Sequence, residues 1–273
     1  MNTTNQLGQL HSKHSPSKVF LIFGIFASML FIGVGIFIYF GAILPVLEGT
    51  MHFSGDITIL YWCILFLVVV GSGILALALY RNKGKTFYLY DLGIVTVDKG
   101  QQTSLLYENM QDVYLFTSGK SLIANNIAFR SGSTGQWGAI SAKYNNISKA
   151  IATITGQHTE WYASKMIHEL KDGKSVTFHY IDYKTAMGRW IFSMGTNDFL
   201  KVTPKSIQLT TESIIVDSKK TAIKDLSHFS GNNWINEIKL LTHNNEVVLR
   251  TSRNGVFSSD SFAVVMDFLI NQK

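Results

Sequence analysis

Two long apolar runs near the N-terminus dominate the hydrophobic pattern of the chain. The first run, from Val19 to Leu47, is uncharged over 29 residues, and the second, from Ile57 to Tyr80, is uncharged over 24. About 20 residues of helix suffice to cross the hydrocarbon core of a bilayer. Because only nine residues separate the runs, the pattern predicts a transmembrane helical hairpin over residues 19–80, preceded by a tail over residues 1–18.

Positive charge flanks the predicted hairpin on one side only. Lys13 and Lys18 precede the first run, and Arg81, Lys83 and Lys85 follow the second, whereas the connecting loop has no lysine or arginine. Since these side chains resist translocation, we expect both termini in the cytoplasm and the loop outside. The three residues after the hairpin are candidate membrane-surface residues, each attracted to anionic lipid by about 1 kcal/mol.

A cleaved signal peptide is the alternative interpretation of the first run. Signal peptides have an apolar core of about 7–15 residues and a small-residue cleavage site, and the first run is longer and has no such site. The single cysteine, Cys63, argues against a disulfide framework. Glycines allow close helix packing, either within the hairpin or across the face of a homo-oligomer. They are Gly24, Gly33, Gly35, Gly41, Gly71 and Gly73.

After Tyr80 the pattern changes to short segments of β-branched and aromatic residues separated by turn residues. Such segments predict strands. The predicted strands are Thr86–Tyr90, Ile94–Asp98, Thr103–Tyr107, Val113–Phe116, Leu122–Phe129 and Gln136–Ile140. Apolar residues then recur at helical spacing from Ile147 to Leu170, with a break or kink expected at Gly156.

A second series of the same kind follows and ends in a helix that Ser259 is expected to cap. Its predicted strands are Val176–Ile181, Arg189–Phe192, Leu200–Val202, Ile207–Leu209, Ile214–Asp217, Ile235–Leu241 and Glu246–Arg250. The two series can be overlaid as a repeat. Phe87–Ile94 matches Phe199–Ile207, and Tyr107–Val113 matches Ile223–Phe229. Two unrelated β-rich segments are the alternative.

The overlaid pattern resembles the bacterial pleckstrin-homology-like (PH-like) domains. The features that carry the resemblance are a strand, the turn Leu92–Gly93–Ile94, a strand, and an apolar-polar-Asn/Asp-apolar step at Tyr107–Met110 and Ile223–Leu226. With the hairpin in front, the whole chain resembles uncharacterised bacterial membrane proteins with tandem PH-like domains. The resemblance implies a mainly β, α+β region made of two barrel or sandwich modules, 81–171 and 172–273, each closed by a C-terminal helix.

No motif for nucleotide binding or hydrolysis is present, and the resemblance supplies no catalytic residue. His158 and His168 are ten residues apart, which does not fit a helical zinc motif, so we interpret them as helix surface or packing residues. Asp172, His179 and Asp182 are interpreted as turn and strand residues. The sequence therefore predicts no enzyme, no cofactor and no metal site. An enzyme that acts on lipid head groups is a third interpretation. It is disfavoured, because the sequence shows no recognisable set of catalytic residues.

The net charge of +6 lies entirely after Tyr80. The glycine-rich segment 130–136 could cradle a phosphate through its backbone amides or form a flexible hairpin loop. Five residues are candidate partner-binding residues. Four are basic and either face an acidic partner or are merely solvated, namely Lys219, Lys220, Arg250 and Arg253. The fifth, Trp234, marks an apolar or aromatic face that is the alternative binding surface. Nucleic acid is not an expected partner, because it would require a denser basic face.

Together with the resemblance, these observations predict a non-enzymatic binding or scaffold protein anchored in a bacterial inner membrane, with both termini in the cytoplasm. Its expected partners are the lipid bilayer and a protein, and a second copy of the chain is a further candidate. The alternative is a membrane-anchored immunity or inhibitor protein that neutralises a toxin by binding it. Because the function is inferred from the fold, the two interpretations stay open at the level of the sequence.

Overall fold

The computed structural model of the protein describes residues 7–118, 124–192, 200–232 and 237–271. The chain forms two compact units. The helical unit is Ser15–Lys85, and the β unit consists of Met1–His14 together with Thr86–Lys273. The predicted layout of two apolar helices followed by antiparallel sheets is confirmed.

The helical unit is an antiparallel pair of helices. Helix α1 (Val19–Ile38) continues through a π-helical turn (Tyr39–Ile43) into α2 (Leu44–Leu47), and α3 follows at Thr58–Asn82. The spans 19–47 and 58–82 each contain an 18-residue stretch with a mean hydropathy of 2.6 and are long and apolar enough to cross a membrane.

Small residues lie where α1 and α3 meet. A Cβ added at Gly24 would collide with the Ala78 methyl group, and one added at Gly71 would lie 3.3 Å from the Ser28 carbonyl oxygen. Among the described residues, nothing lies within 4 Å of a Cβ built at Gly73. Gly24 and Gly71 therefore serve packing inside the hairpin, because they allow the two backbones to approach closely.

The first half of the β unit consists of two antiparallel sheets and a long helix. One sheet has the order β1-β2-β3-β4 and the other the order β5-β6-β7. The elements are β1 (Leu10–His14), β2 (Thr86–Tyr90), β3 (Gly93–Asp98), β4 (Gln101–Leu106), β5 (Asp112–Phe116), β6 (Asn126–Arg130), β7 (Gly138–Ile140) and α4 (Ile147–Lys171).

Helix α4 runs through Gly156 without interruption, so the break predicted there is wrong. The helix buries a continuous face that includes Ala150, Ile154 and Tyr162. This tertiary packing outweighs the cost of about 1 kcal/mol for a glycine in a helix interior.

The second half repeats the pattern in one sheet with the order β11-β10-β9-β8-β14-β13-β12. Its strands are β8 (Val176–Asp182), β9 (Lys205–Leu209), β10 (Ser213–Val216), β11 (Lys219–Ala222), β12 (Leu226–Asn232), β13 (Glu237–Thr242) and β14 (Val247–Val256). Its helices are α5 (Tyr183–Phe192) and α6 (Ser259–Asn271).

The strands predicted at Arg189–Phe192 and Leu200–Val202 are wrong. The first segment belongs to α5, and the second contains no strand. Helix α5 begins beside Asp182, whose carboxylate accepts hydrogen bonds from the Thr185 amide at 3.1 Å and the Thr185 hydroxyl at 2.8 Å. An acidic side chain that binds the first free amides favours a helix start, and strand propensity alone does not register it.

Both halves have the same order of elements: four antiparallel strands, a 3-10 helix, three strands and a long helix. The 3-10 helices, Tyr107–Asn109 and Ile223–Asp225, occupy equivalent places. The Tyr107 amide donates to Leu92 O at 3.0 Å, and the Ile223 amide donates to Glu212 O at 2.8 Å. In this order β9 corresponds to β2, so the overlay of Phe87–Ile94 on Phe199–Ile207 is wrong. The error arose because the apolar residues after α5 have the sequence pattern of a strand.

Strand β1 completes the first half, and the sequence analysis did not predict it. His14 of β1 pairs with Phe87 of β2, as His179 of β8 pairs with Ser206 of β9. His14 is fully buried, and its Nδ1 lies 2.9 Å from the Asn145 carbonyl oxygen. The helical unit is therefore inserted between the first two strands of this half, at the place where the second half has α5.

Each half has an apolar core, the core of the second half also contains Tyr162 and Leu170 of α4, and a third cluster joins the two halves. Phe87, Ile127 and Ile154 belong to the core of the first half. The third cluster contains Tyr114, Phe116 and Ala128 from the first half and Ile181 and Phe257 from the second. The two halves thus pack into one body.

Candidate binding site

A buried ionic cluster lies where the two halves meet. The side chain of Asp112, at the start of β5, is 1% exposed. Its Oδ2 is 2.6 Å from Nε of Arg130 on β6, and its Oδ1 is 2.7 Å from Nδ1 of His179 on β8. The Arg130 guanidinium also lies 4.4 Å above the Trp137 ring. The cluster joins the first and second halves through charge-assisted hydrogen bonds.

The cluster fixes the tautomer of His179. A carboxylate held by a guanidinium only accepts hydrogen bonds, so Nδ1 of His179 carries a proton and donates it to Asp112. Nε2 is then the ring nitrogen left for a ligand, since no hydrogen-bond partner for it lies among the described residues. The ring lines a cleft at this junction.

Two further residues, Ser258 and His158, make polar contacts that connect the halves. Ser258 donates its amide to Val113 O at 2.6 Å and its hydroxyl to Gln111 O at 3.2 Å. His158 on α4 lies between Met110 O, 2.8 Å from Nε2, and the Ser261 hydroxyl on α6, 3.3 Å from Nδ1. Because a carbonyl only accepts, Nε2 of His158 donates and Nδ1 accepts. Burial lowers the pKa of His158 to about 4.

The cleft has a volume of about 600 Å³ and lies between the outer face of the second-half sheet and a first-half loop. On the sheet, His179 lies directly opposite Ser206, and Gln208 lies opposite Ile215. Ser133 belongs to the loop. Side chains that can donate hydrogen bonds therefore face the cleft from both halves.

Lys205 and Asp217 stand at the cleft as an exposed ion pair. Lys205 Nζ is 3.1 Å from Asp217 Oδ2, and the side chains are 46% and 56% exposed. Exposed pairs of this kind contribute about 0–1 kcal/mol, so a ligand can break the pair at little cost. Asp217 and Ser218 have φ values of 47° and 66°, which form the tight turn between β10 and β11.

Ser133, in the glycine-rich segment 130–136, is the residue of the first half that lines the cleft. Nη1 of the buried Arg130 donates to Ser133 O at 2.5 Å, and the Gly135 amide donates to Gly132 O at 3.0 Å. The loop is thus tied to the ionic cluster, and it places Ser133 in the same cleft as His179.

Two predicted partner-binding residues make ion pairs within the chain. Lys219 lies 3.2 Å from Glu246, and Arg250 pairs with Glu237. Arg250 also stacks 5.0 Å above the Tyr183 ring. Trp234 lies outside the described residues, and so does the side chain of Arg253.

Lys220, by contrast, lines a groove of about 620 Å³ between β11 and the end of α6. Ala222, Ile223 and Leu269 give the groove an apolar floor. The other residues along the groove are Thr211, Glu212, Ser213 and Lys224.

The predicted membrane-surface residues stand at one end of the helical unit. The Arg81 guanidinium lies 4.9 Å above the ring of Phe20, so the start of α1 and the end of α3 are adjacent. Lys83 follows as the C-terminal cap of α3, and Lys85 lies just before β2.

Comparison with known proteins adds no functional assignment, since no protein-family model and no curated protein matches the sequence. Within the described ranges, no group of three or more His, Cys, Asp or Glu side chains is arranged to hold a metal ion. Sequence reasoning missed the cluster of Asp112, Arg130 and His179, because Arg130 is 18 residues and His179 is 67 residues from Asp112. No local spacing signals such contacts.

Proposed function

We propose that this protein is a membrane-anchored, non-enzymatic binding protein. The helical unit spans a bacterial inner membrane, and the β unit, two PH-like modules fused into one body, lies in the cytoplasm and binds a protein partner. The repeated order of four strands, a 3-10 helix, three strands and a closing helix supports the PH-like assignment.

The pairing of β1 with β2 supports the anchoring. His14 and Phe87 lie opposite each other in one sheet, so they lie on the same side of any membrane that the intervening chain crosses. An even number of crossings is then required, which matches two apolar spans. Lys18 and Arg81 at the two ends of the hairpin favour the cytoplasmic side.

The groove at Lys220 is the observation that carries the binding proposal. It combines an apolar floor with two basic side chains, Lys220 and Lys224, against one acidic side chain, Glu212, and this balance suits an amphipathic acidic segment of another protein. The neighbouring Lys219 is paired with Glu246. Lys220 is therefore the basic residue of β11 that is available to a partner in the groove.

Photo-crosslinking in the native membrane tests the binding. A photoreactive residue at Thr211, in the groove, is expected to give a protein adduct that disappears with Lys220→Glu and persists with Lys219→Gln. A photoreactive residue at Lys174, outside the groove, serves as the positional control. An adduct that survives Lys220→Glu, or that forms equally from position 174, would rule out the groove as the binding surface.

A reporter fusion tests the orientation separately. Alkaline phosphatase fused after Lys273 is expected to be inactive, because the enzyme needs the oxidising periplasm to form its disulfides. An active fusion would place the β unit outside the cytoplasm.

A further inference from the structure

We propose that the cleft between the two halves is a binding site for an oxyanion, the phosphate group of a small ester or of a lipid. The inference concerns a different surface from the groove at Lys220 and does not depend on it. The cleft is formed only when both halves are packed together, because His179 and Lys205 come from the second half and Ser133 from the first.

The lining is rich in hydrogen-bond donors. The hydroxyl groups of Ser133, Ser206 and Ser218, the Gln208 amide and the Lys205 ammonium can all donate. Among the described lining residues, the groups that only accept are the Asp217 carboxylate and Nε2 of His179. A ligand made mostly of acceptors fits such a surface. Phosphate and sulfate groups have that character, whereas a polyhydroxyl ligand needs as many acceptors as donors.

His179 gives the site a fixed point. Its ring is nine-tenths buried, and its Nδ1 proton is committed to Asp112. Nε2 of the neutral ring then accepts a hydrogen bond, and the P–OH group of a singly protonated phosphate can donate to it. Arg130 holds both Asp112 and the loop carbonyl of Ser133, so the two walls of the cleft are positioned by one side chain.

The two charged residues at the cleft predict opposite effects on ligand affinity, which can be tested. Lys205 attracts an anion and Asp217 repels it, and the ion pair between them is exposed and weak. Loss of the lysine charge should weaken oxyanion binding, and loss of the carboxylate should tighten it. A cation would show the reverse pattern, and a neutral ligand would show neither change.

Isothermal titration of the full chain in neutral detergent with inorganic phosphate, at constant ionic strength, provides the measurement. We expect saturable binding that Lys205→Gln weakens about tenfold, as expected for a charge-assisted hydrogen bond. Asp217→Asn should tighten it about threefold. The pair Lys174 and Asp172, 3.5 Å apart and also exposed, supplies matched controls: Lys174→Gln and Asp172→Asn should leave the affinity unchanged.

His179 is tested without mutation, because a substitution there risks unfolding the junction. In protein labelled with ¹⁵N-histidine, phosphate should shift the ring signals of His179, and the exposed His168 should not respond. Comparing glycerol 3-phosphate with dihexanoyl-phosphatidic acid separates the sources: equal affinities indicate a soluble ester, and tighter binding of the acyl compound indicates a lipid headgroup. Absence of saturable binding, weaker binding with Asp217→Asn, or equal binding of myo-inositol would overturn the proposal.

Discussion

Asp112 joins three segments that are far apart in sequence, and its charge is balanced inside the protein. Arg130 and His179 both bind it, and its side chain is 1% exposed. When one partner of a buried ion pair is removed, the other is left as an uncompensated charge, which costs about 3–5 kcal/mol. Because the three residues lie at the junction between the halves, this loss of free energy would destabilise the packing of one half on the other.

We therefore expect Asp112→Asn to lower the free energy of unfolding of the β unit by about 3–5 kcal/mol. Denaturant unfolding of the full chain in detergent, followed by tryptophan fluorescence, measures this change. Glu246→Gln is the control, since it breaks the exposed pair with Lys219 and should cost less than about 1 kcal/mol. Equal effects of the two substitutions would show that the buried cluster does not hold the halves together.

His158 makes the stability of the β unit depend on pH. Burial lowers its pKa from the usual value of 6.5 to about 4, so between these values the unfolded chain binds more protons than the folded chain. Stability is fully present above about pH 6.5 and decreases as the pH falls toward 4, by about 3 kcal/mol in total.

The substitution His158→Gln should remove this dependence while keeping an amide donor near Met110 O. Unfolding free energies measured at pH 7 and pH 4.5 should differ less in the variant than in the wild type. His168→Gln is the control, because that side chain is exposed. A wild-type pH dependence in His158→Gln would assign the effect to other groups.

At the scale of elements, glycines decide how closely α1 and α3 pack. Gly24→Val should lower the melting temperature of the protein in detergent, because the new side chain would collide with Ala78. Overpacking of this kind costs about 1–3 kcal/mol. Gly73→Val should be tolerated, since its position is open among the described residues. If Gly73→Val lowered the melting temperature as much as Gly24→Val, Gly73 would lie at an interface with another molecule.

The local sequence pattern was sufficient to predict the two apolar helices and the strands whose side chains alternate between buried and more exposed positions. The strand Thr86–Tyr90 was predicted with its exact bounds, since Phe87 and Leu89 are buried between more exposed neighbours. Strand β1 could not be predicted, because Leu10–His14 is polar and is a strand only through its pairing with β2. Helix α5 was missed because the Asp182 hydrogen bonds that start it outweigh the strand propensity of its apolar residues.

The candidate site was less predictable than the fold. Charge and composition pointed to Lys220 and to the glycine-rich segment, and Lys220 and Ser133 of that segment each line a cavity. Arg250 and Lys219 were singled out for the same reason, yet each is paired with an acidic residue of the same chain. Sequence shows where the charges are, but the fold decides which of them neutralise each other.

At the scale of the whole molecule, the β unit begins before the helical unit and continues after it. A chain that joins residues 7–14 to residues 86–273 through a short glycine-containing turn should fold as a soluble protein, since His14 and Phe87 are already opposite each other. The chain 86–273 alone should be less stable, because it lacks β1 and the buried Leu7 and exposes the edge of β2. Identical melting temperatures would show that β1 is dispensable.

The insertion of the helical unit between β1 and β2 also orders the events of synthesis. The ribosome makes β1 first, and β1 waits without its neighbour until both apolar helices have been made and β2 follows. With the membrane anchoring proposed above, a chain that inserted only one of the two helices would leave β1 and β2 on opposite sides of the bilayer. Pairing of β1 with β2 therefore requires that both helices of the proposed anchor cross the membrane, and a chain with only one inserted helix leaves the edge of β2 unpaired.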